Sequence, residues 1–89
     1  MRAVVPKRAR QLRAYRPLAA AFLEANPRCM FPGCDQPTTE LHHKRGRRGE
    51  RLLDQAWWAA SCATHNAFAE ERTGEALAIG WLVRIEGAA

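Results

Sequence analysis

The chain has 89 residues, with 14 Lys plus Arg against 9 Asp plus Glu and a formal net charge of +5. That length holds one domain and not two, and so small a core is marginal without a metal, a disulfide or a partner. The basic balance suits an anionic partner, nucleic acid ahead of a membrane surface, and no stretch approaches the ~18 apolar residues of a spanning helix.

Residues 1–16 carry Arg2, Lys7, Arg8, Arg10, Arg13 and Arg16 with no acid among them, and read as a basic N-terminal arm, partly disordered or helical only when bound. The arm has no apolar run of signal-peptide length, so a reducing, cytoplasmic setting is expected. Residues 17–89 are then a single domain. Pro17 suits the first turn of a short helix over "PLAAAFLEA", with Leu18, Phe22 and Ala25 on one side and Tyr15 packed just before it. Asn26-Pro27 stops that helix.

"CMFPGC", residues 29–34, reads as a tight loop turning at Pro32-Gly33. Residues 38–43, "TTELHH", alternate weakly and contain β-branched residues, which predicts a strand. "KRGRRGE" follows as a basic, glycine-containing loop, and "WWAASC", residues 57–62, as a return strand. "THNAFAEER" is helical and ends at Thr73-Gly74. "EALAIGWLVRI" gives a second short helix and then an apolar terminal segment. Trp57, Trp58, Phe68 and Trp81 are candidate core aromatics.

The three cysteines are an odd number, and in a reducing compartment grouped cysteines point to metal before disulfide. Four residues separate Cys29 from Cys34, and two separate Cys62 from His65. Each spacing lets a pair reach one tetrahedral ion from a turn, and thiolate with imidazole is a donor set that zinc favours. A Cys3His zinc site uses every cysteine and supplies stability that the core lacks. It also clamps the chain around His42, His43 and the basic run, and draws Asn66 toward the histidine pair.

Neighbouring residues on a strand face opposite ways, so His42 and His43 divide their tasks: one can hold a metal while the other faces substrate. A neutral imidazole beside a phosphate can activate water. Lys44, Arg45, Arg47, Arg48 and Arg51 read as phosphate contacts, or otherwise as a solvated charged loop. Glu40 either orients a histidine or sits on the exposed face.

The stretch "TTELHHKRGRRGERLL", with "YRPLAAAFLEANPRC" before it and "WWAASCATHNAF" after it, resembles the phage and prophage branch of the HNH endonucleases, the ββα-metal nucleases. The resemblance covers roughly residues 15–82. It implies an α+β fold: a small zinc-stabilised, treble-clef-like ββα-metal domain with flanking short helices. It implies a DNA endonuclease with His43 as general base, and His42 and Asn66 as ligands of Mg²⁺ or Mn²⁺. Cys29, Cys34 and Cys62 would match the branch's structural zinc cysteines, with His65 in place of a fourth. A terminase partner in genome packaging is a further implication. The motif's middle Asn falls near residue 57, where this chain has Trp57. Either another group, such as Gln55 or Asp54, supports the loop instead, or catalysis is weakened or lost and a zinc-containing DNA-binding module remains. A zinc-folded protein-interaction adaptor is the third reading.

Overall fold

In the computed structural model, which describes residues 5–84, a long helix α1 (Lys7–Ala25) precedes a two-stranded sheet and two short helices. Arg2 of the expected arm and Ile85 of the expected terminal segment lie outside those residues. Strands β1 (Glu40–His43) and β2 (Trp58–Ser61) pair antiparallel, with 3-10 turns at Gly49–Leu53 and Gln55–Trp57 between them. Helices α2 (Ala63–Glu71) and α3 (Thr73–Ala78) follow. The domain is α+β, and no described helix is long and apolar enough to cross a membrane.

One expectation is corrected and one boundary shifts. The basic segment is no loose arm from Lys7 onward: α1 runs continuously through the expected boundary at 16/17, with Pro17 in its interior rather than its first turn. Arg, Lys, Ala, Leu and Gln before Pro17 are good helix formers. The helix also has somewhere to pack, because Tyr15 and Phe22 each meet Trp58 edge-on at 5.5 Å and Ala19 is buried. Those contacts outweigh the one backbone bond that proline cannot donate. The helix over "THNAFAEER" ends as expected before Thr73, and a second short helix follows; only its start differs, because α3 already includes Thr73 and Gly74. Thr73 Oγ1 donates to the Ala69 carbonyl at 3.0 Å, so its side chain closes α2 while its backbone starts the next helix.

The register pairs Glu40 with Ser61, Leu41 with Ala60, His42 with Ala59 and His43 with Trp58. Period-two alternation then sorts the histidines. His43 lies with Trp58 on the α1 side, 5.5 Å from the Tyr15 ring, whereas His42 lies with Ala59 toward α2 and stacks on Trp81. Ala59, Ala69, Ala76 and Trp81 form the buried core on this second side, with Phe31, Phe68 and Leu82 against it. Trp57 is half-buried rather than core, and the Arg45 guanidinium lies 5.0 Å from its ring centre.

Candidate metal centre and histidine cleft

Cys29 and Cys34 flank a turn closed by the Cys34 N–H donating to the Phe31 carbonyl at 2.9 Å. Gly33, at φ 81°, takes the left-handed position of that turn, where a side chain would be strained. The Met30 N–H donates to the Ala60 carbonyl at 2.8 Å, which ties the turn to the end of β2. Cys62 immediately precedes α2, and His65 lies in its first turn. The ligand atoms of Cys29, Cys34, Cys62 and His65 all lie within 4.8 Å of one another.

This arrangement fits zinc. Zn–S bonds of ~2.3 Å and Zn–N bonds of ~2.0 Å at tetrahedral angles put sulfur and nitrogen about 3.5 Å apart. His65 Nδ1 is 3.3 Å from Cys62 Sγ and 3.7 Å from Cys29 Sγ. Phe31 stacks on the His65 ring at 3.9 Å with parallel planes and fixes its orientation. Burial pushes the Cys29 thiol up, but hydrogen bonds from the Cys62 and Phe31 backbones and from His65 and Cys34 outweigh it and bring the thiol down to about 6. The Gln36 backbone lowers Cys34, yet burial and the neighbouring Cys29 and Cys62 raise it on balance. The cluster can hold one zinc ion.

On the other side of α2 is a cleft of about 870 Å³ lined by Glu40, His42, His43, Arg47 and Asn66, among others. The closure that gathers the four soft ligands also places the first turn of α2, and with it Asn66, across from β1. Asn66 Nδ2 donates to Glu40 Oε2 at 2.7 Å. Glu40 therefore lines the cleft and holds the asparagine, which is neither of the two positions open from sequence: it neither touches an imidazole nor stands on an exposed face.

His42 Nε2 donates to the backbone carbonyl of Trp81, and the two rings stack at 4.5 Å. A carbonyl can only accept, so the tautomer is fixed and Nδ1 keeps its lone pair, the arrangement found behind metal-binding histidines. The Trp81 indole N–H donates to the His65 carbonyl at 2.8 Å. One tryptophan thus joins the Cys3His cluster to His42. Desolvation holds His42 below the usual histidine range.

His43 is buried, and its Nε2 has no hydrogen-bond partner. Burial first, then the positive charge of Arg47, lowers its pKa to about 4. It is a neutral imidazole at neutral pH, with an unengaged ring nitrogen. Arg47 lies 5.3 Å from the Tyr15 ring centre, and Tyr15 in turn flanks His43.

The loop carrying these groups is held by Trp57 itself. The Lys44 N–H donates to the Trp57 carbonyl at 2.8 Å, and Arg45 covers the indole. Asp54 instead accepts from the Ala56 N–H at 3.3 Å within its own turn, and Gln55 is exposed. Of the five expected phosphate contacts, Arg47, Arg48 and Arg51 line one basic cleft, while Arg45 is turned onto Trp57 and Lys44 lies 6.0 Å from the Trp81 ring. Sequence reasoning did not find the roles of Trp81 and Tyr15, because both act through contacts distant along the chain.

Comparison with protein-family models, curated proteins and solved structures yields no match.

Proposed function

We propose that this chain is a metal-dependent endonuclease of the HNH kind, hydrolysing phosphodiester bonds in DNA. The observation that carries the reading is that Asn66, Glu40, His42 and an unpartnered neutral His43 share one cleft behind a zinc-type cluster. In this reading His42 Nδ1 and the Asn66 side-chain oxygen would hold a hard divalent ion, Mg²⁺ or Mn²⁺, and both residues line the cleft. Glu40 orients the amide by accepting from its nitrogen. Such an ion, when bound, stabilises charge on the scissile phosphate and on the departing oxygen.

The chain's own residues do the rest. His43 takes the proton of the attacking water through its free ring nitrogen, and its low basicity keeps it unprotonated until that moment. Trp81 holds His42 in the tautomer that presents Nδ1 to the ion.

The test is plasmid nicking in Mg²⁺ or Mn²⁺ by zinc-loaded protein beside His43→Ala. Loss of a general base is expected to slow cleavage by about 10²–10⁴-fold. Absence of cleavage by the zinc-loaded wild type would refute the nuclease reading. Trp57 in the place of the motif's asparagine favours a second reading, a DNA-binding zinc module without catalysis, and that same negative result combined with retained DNA binding selects it.

A further inference from the structure

Beside the histidine cleft lies a second concavity of about 760 Å³, formed where the start of α1 meets the loop after β1. Its side-chain walls are Arg8 from the helix and Arg47, Arg48 and Arg51 from the loop, and no acidic residue lines it. Four guanidinium groups around one space repel one another, so something must hold them there. Backbone carbonyls contribute: Arg8 donates to the Arg47 carbonyl at 3.1 Å, and Arg51 Nε donates to the Arg48 carbonyl at 3.1 Å. Among the described residues the one salt bridge joins Arg72 to Glu75, so no described carboxylate pairs with these arginines. Each guanidinium has five N–H donors, and these bonds leave several free for an anion. The positive end of the 19-residue α1 adds to the same potential.

The two clefts adjoin, since Gly46 and Arg47 line both. Gly46 has φ 82°, and the space where a Cβ would stand is open. The ridge between the histidines and the arginines is therefore low, and bare backbone can be approached closely there. A ligand long enough to reach from one cleft to the other, carrying negative charge at both ends, is a polyanion.

We propose that Arg8, Arg47, Arg48 and Arg51 seat a second backbone phosphate of the DNA strand whose scissile phosphate lies at the histidine cleft, the strand crossing over Gly46. α1 is thereby one jaw of the substrate groove and the basic loop the other. This rests on the phosphodiester reading of the histidine cleft, and binding measured without cleavage separates the two.

The experiment titrates a short fluorescein-labelled DNA duplex with the full, zinc-loaded chain in the absence of Mg²⁺ and Mn²⁺, across a salt series. Arg8→Gln is compared with Arg16→Gln, which removes the same charge from an exposed position of the same helix outside the cleft. Loss of one phosphate contact lowers the slope of log K against log salt by ~0.9, or about eightfold in affinity at 0.1 M salt relative to 1 M. That loss is expected for Arg8→Gln, and again for Arg48→Gln on the opposite wall, with wild-type circular dichroism in each. Arg16→Gln is expected to lose less than half as much. An Arg16→Gln effect equal to that of both cleft variants, or no effect from either cleft variant, overturns the proposal. Wild type that binds with the cleft-dependent slope but does not cut sinks the nuclease reading alone. Cutting with Arg8→Gln and Arg48→Gln indistinguishable from Arg16→Gln sinks this inference alone.

Discussion

Replacement of Trp81 tests how the two halves of the candidate site are joined. The side chain is 2 % exposed, packs in the core with Ala59, Ala69 and Ala76, and meets Phe31 edge-on at 5.2 Å. Its indole N–H bonds the His65 carbonyl, and its ring supports His42. Trp81→Phe keeps a ring beneath His42 and the backbone carbonyl that fixes its tautomer, but deletes the bond to His65. One hydrogen bond is worth about 1 kcal/mol, and the smaller ring adds a modest packing loss. The expected cost is about 1–2 kcal/mol, a fall in Tm of about 5–15 °C for a domain of this size. Trp81→Ala removes ring and bond together and should cost about 3–5 kcal/mol, a large part of the ~5–15 kcal/mol that holds a domain folded. The assay is thermal melting of zinc-loaded protein by circular dichroism, paired with Mn²⁺ binding by electron paramagnetic resonance. Trp81→Phe should melt earlier yet bind Mn²⁺ within a few-fold of wild type. Trp81→Ala, measured well below its own Tm, should bind Mn²⁺ about 10–100-fold more weakly, as loss of support behind a ligand does. Trp81→Phe melting with wild type would refute the indole–carbonyl link. Full Mn²⁺ affinity in folded Trp81→Ala would refute the support of His42.

Metal analysis is expected to find about one tightly held zinc per chain; Cys62→Ser or a strong chelator should abolish cooperative melting, and a fully folded chelated protein would contradict this. His43 has a folded-state pKa of about 4 against an ordinary 6.5, so the unfolded chain takes up its proton first. Its stabilising contribution is complete above pH 6.5 and is lost as pH falls toward 4. Because acid also strips zinc, the measurement is a difference: the Tm of wild type should fall more between about pH 7 and about pH 5 than that of His43→Gln. Parallel losses in the two proteins would mean that His43 titrates normally.

What could be read from the chain was whatever short spacings control. Cys29, Cys34, Cys62 and His65 form two local pairs, and the structure brings their donors together. The opposed facing of His42 and His43 follows from strand geometry alone, and the register sets one against Ala59 and the other against Trp58. Residues 57–62 were legible as a return strand, and Trp58–Ser61 pairs with β1. The strand expected over 38–43 begins only at Glu40, although the Thr39 N–H still reaches the Ser61 carbonyl. Pro17 and the unrelieved basic run concealed α1, because the compensation comes from Trp58, far along the chain. Glycine at position 74 suggested a stop, and the Thr73 side chain makes the corner there. The bonds between His42 and Trp81, and between Arg8 and Arg47, each span 39 residues, a separation at which no local pattern operates.

The Cys3His cluster has one more effect, on what the chain can tolerate. A zinc ion held by these four donors would pin both ends of the stretch between Cys34 and Cys62, so that the basic turn after β1 would sit inside a closed ring. Once a ring is shut, extra residues add little closure entropy, roughly 0.6 kcal/mol for each doubling of its length. With zinc bound, residues could therefore be added to the turn after β1 at small cost in chain closure, provided a glycine keeps the left-handed position of Gly46 and the Arg47 and Arg48 carbonyls keep their arginine donors, and new substrate preferences could be grafted there.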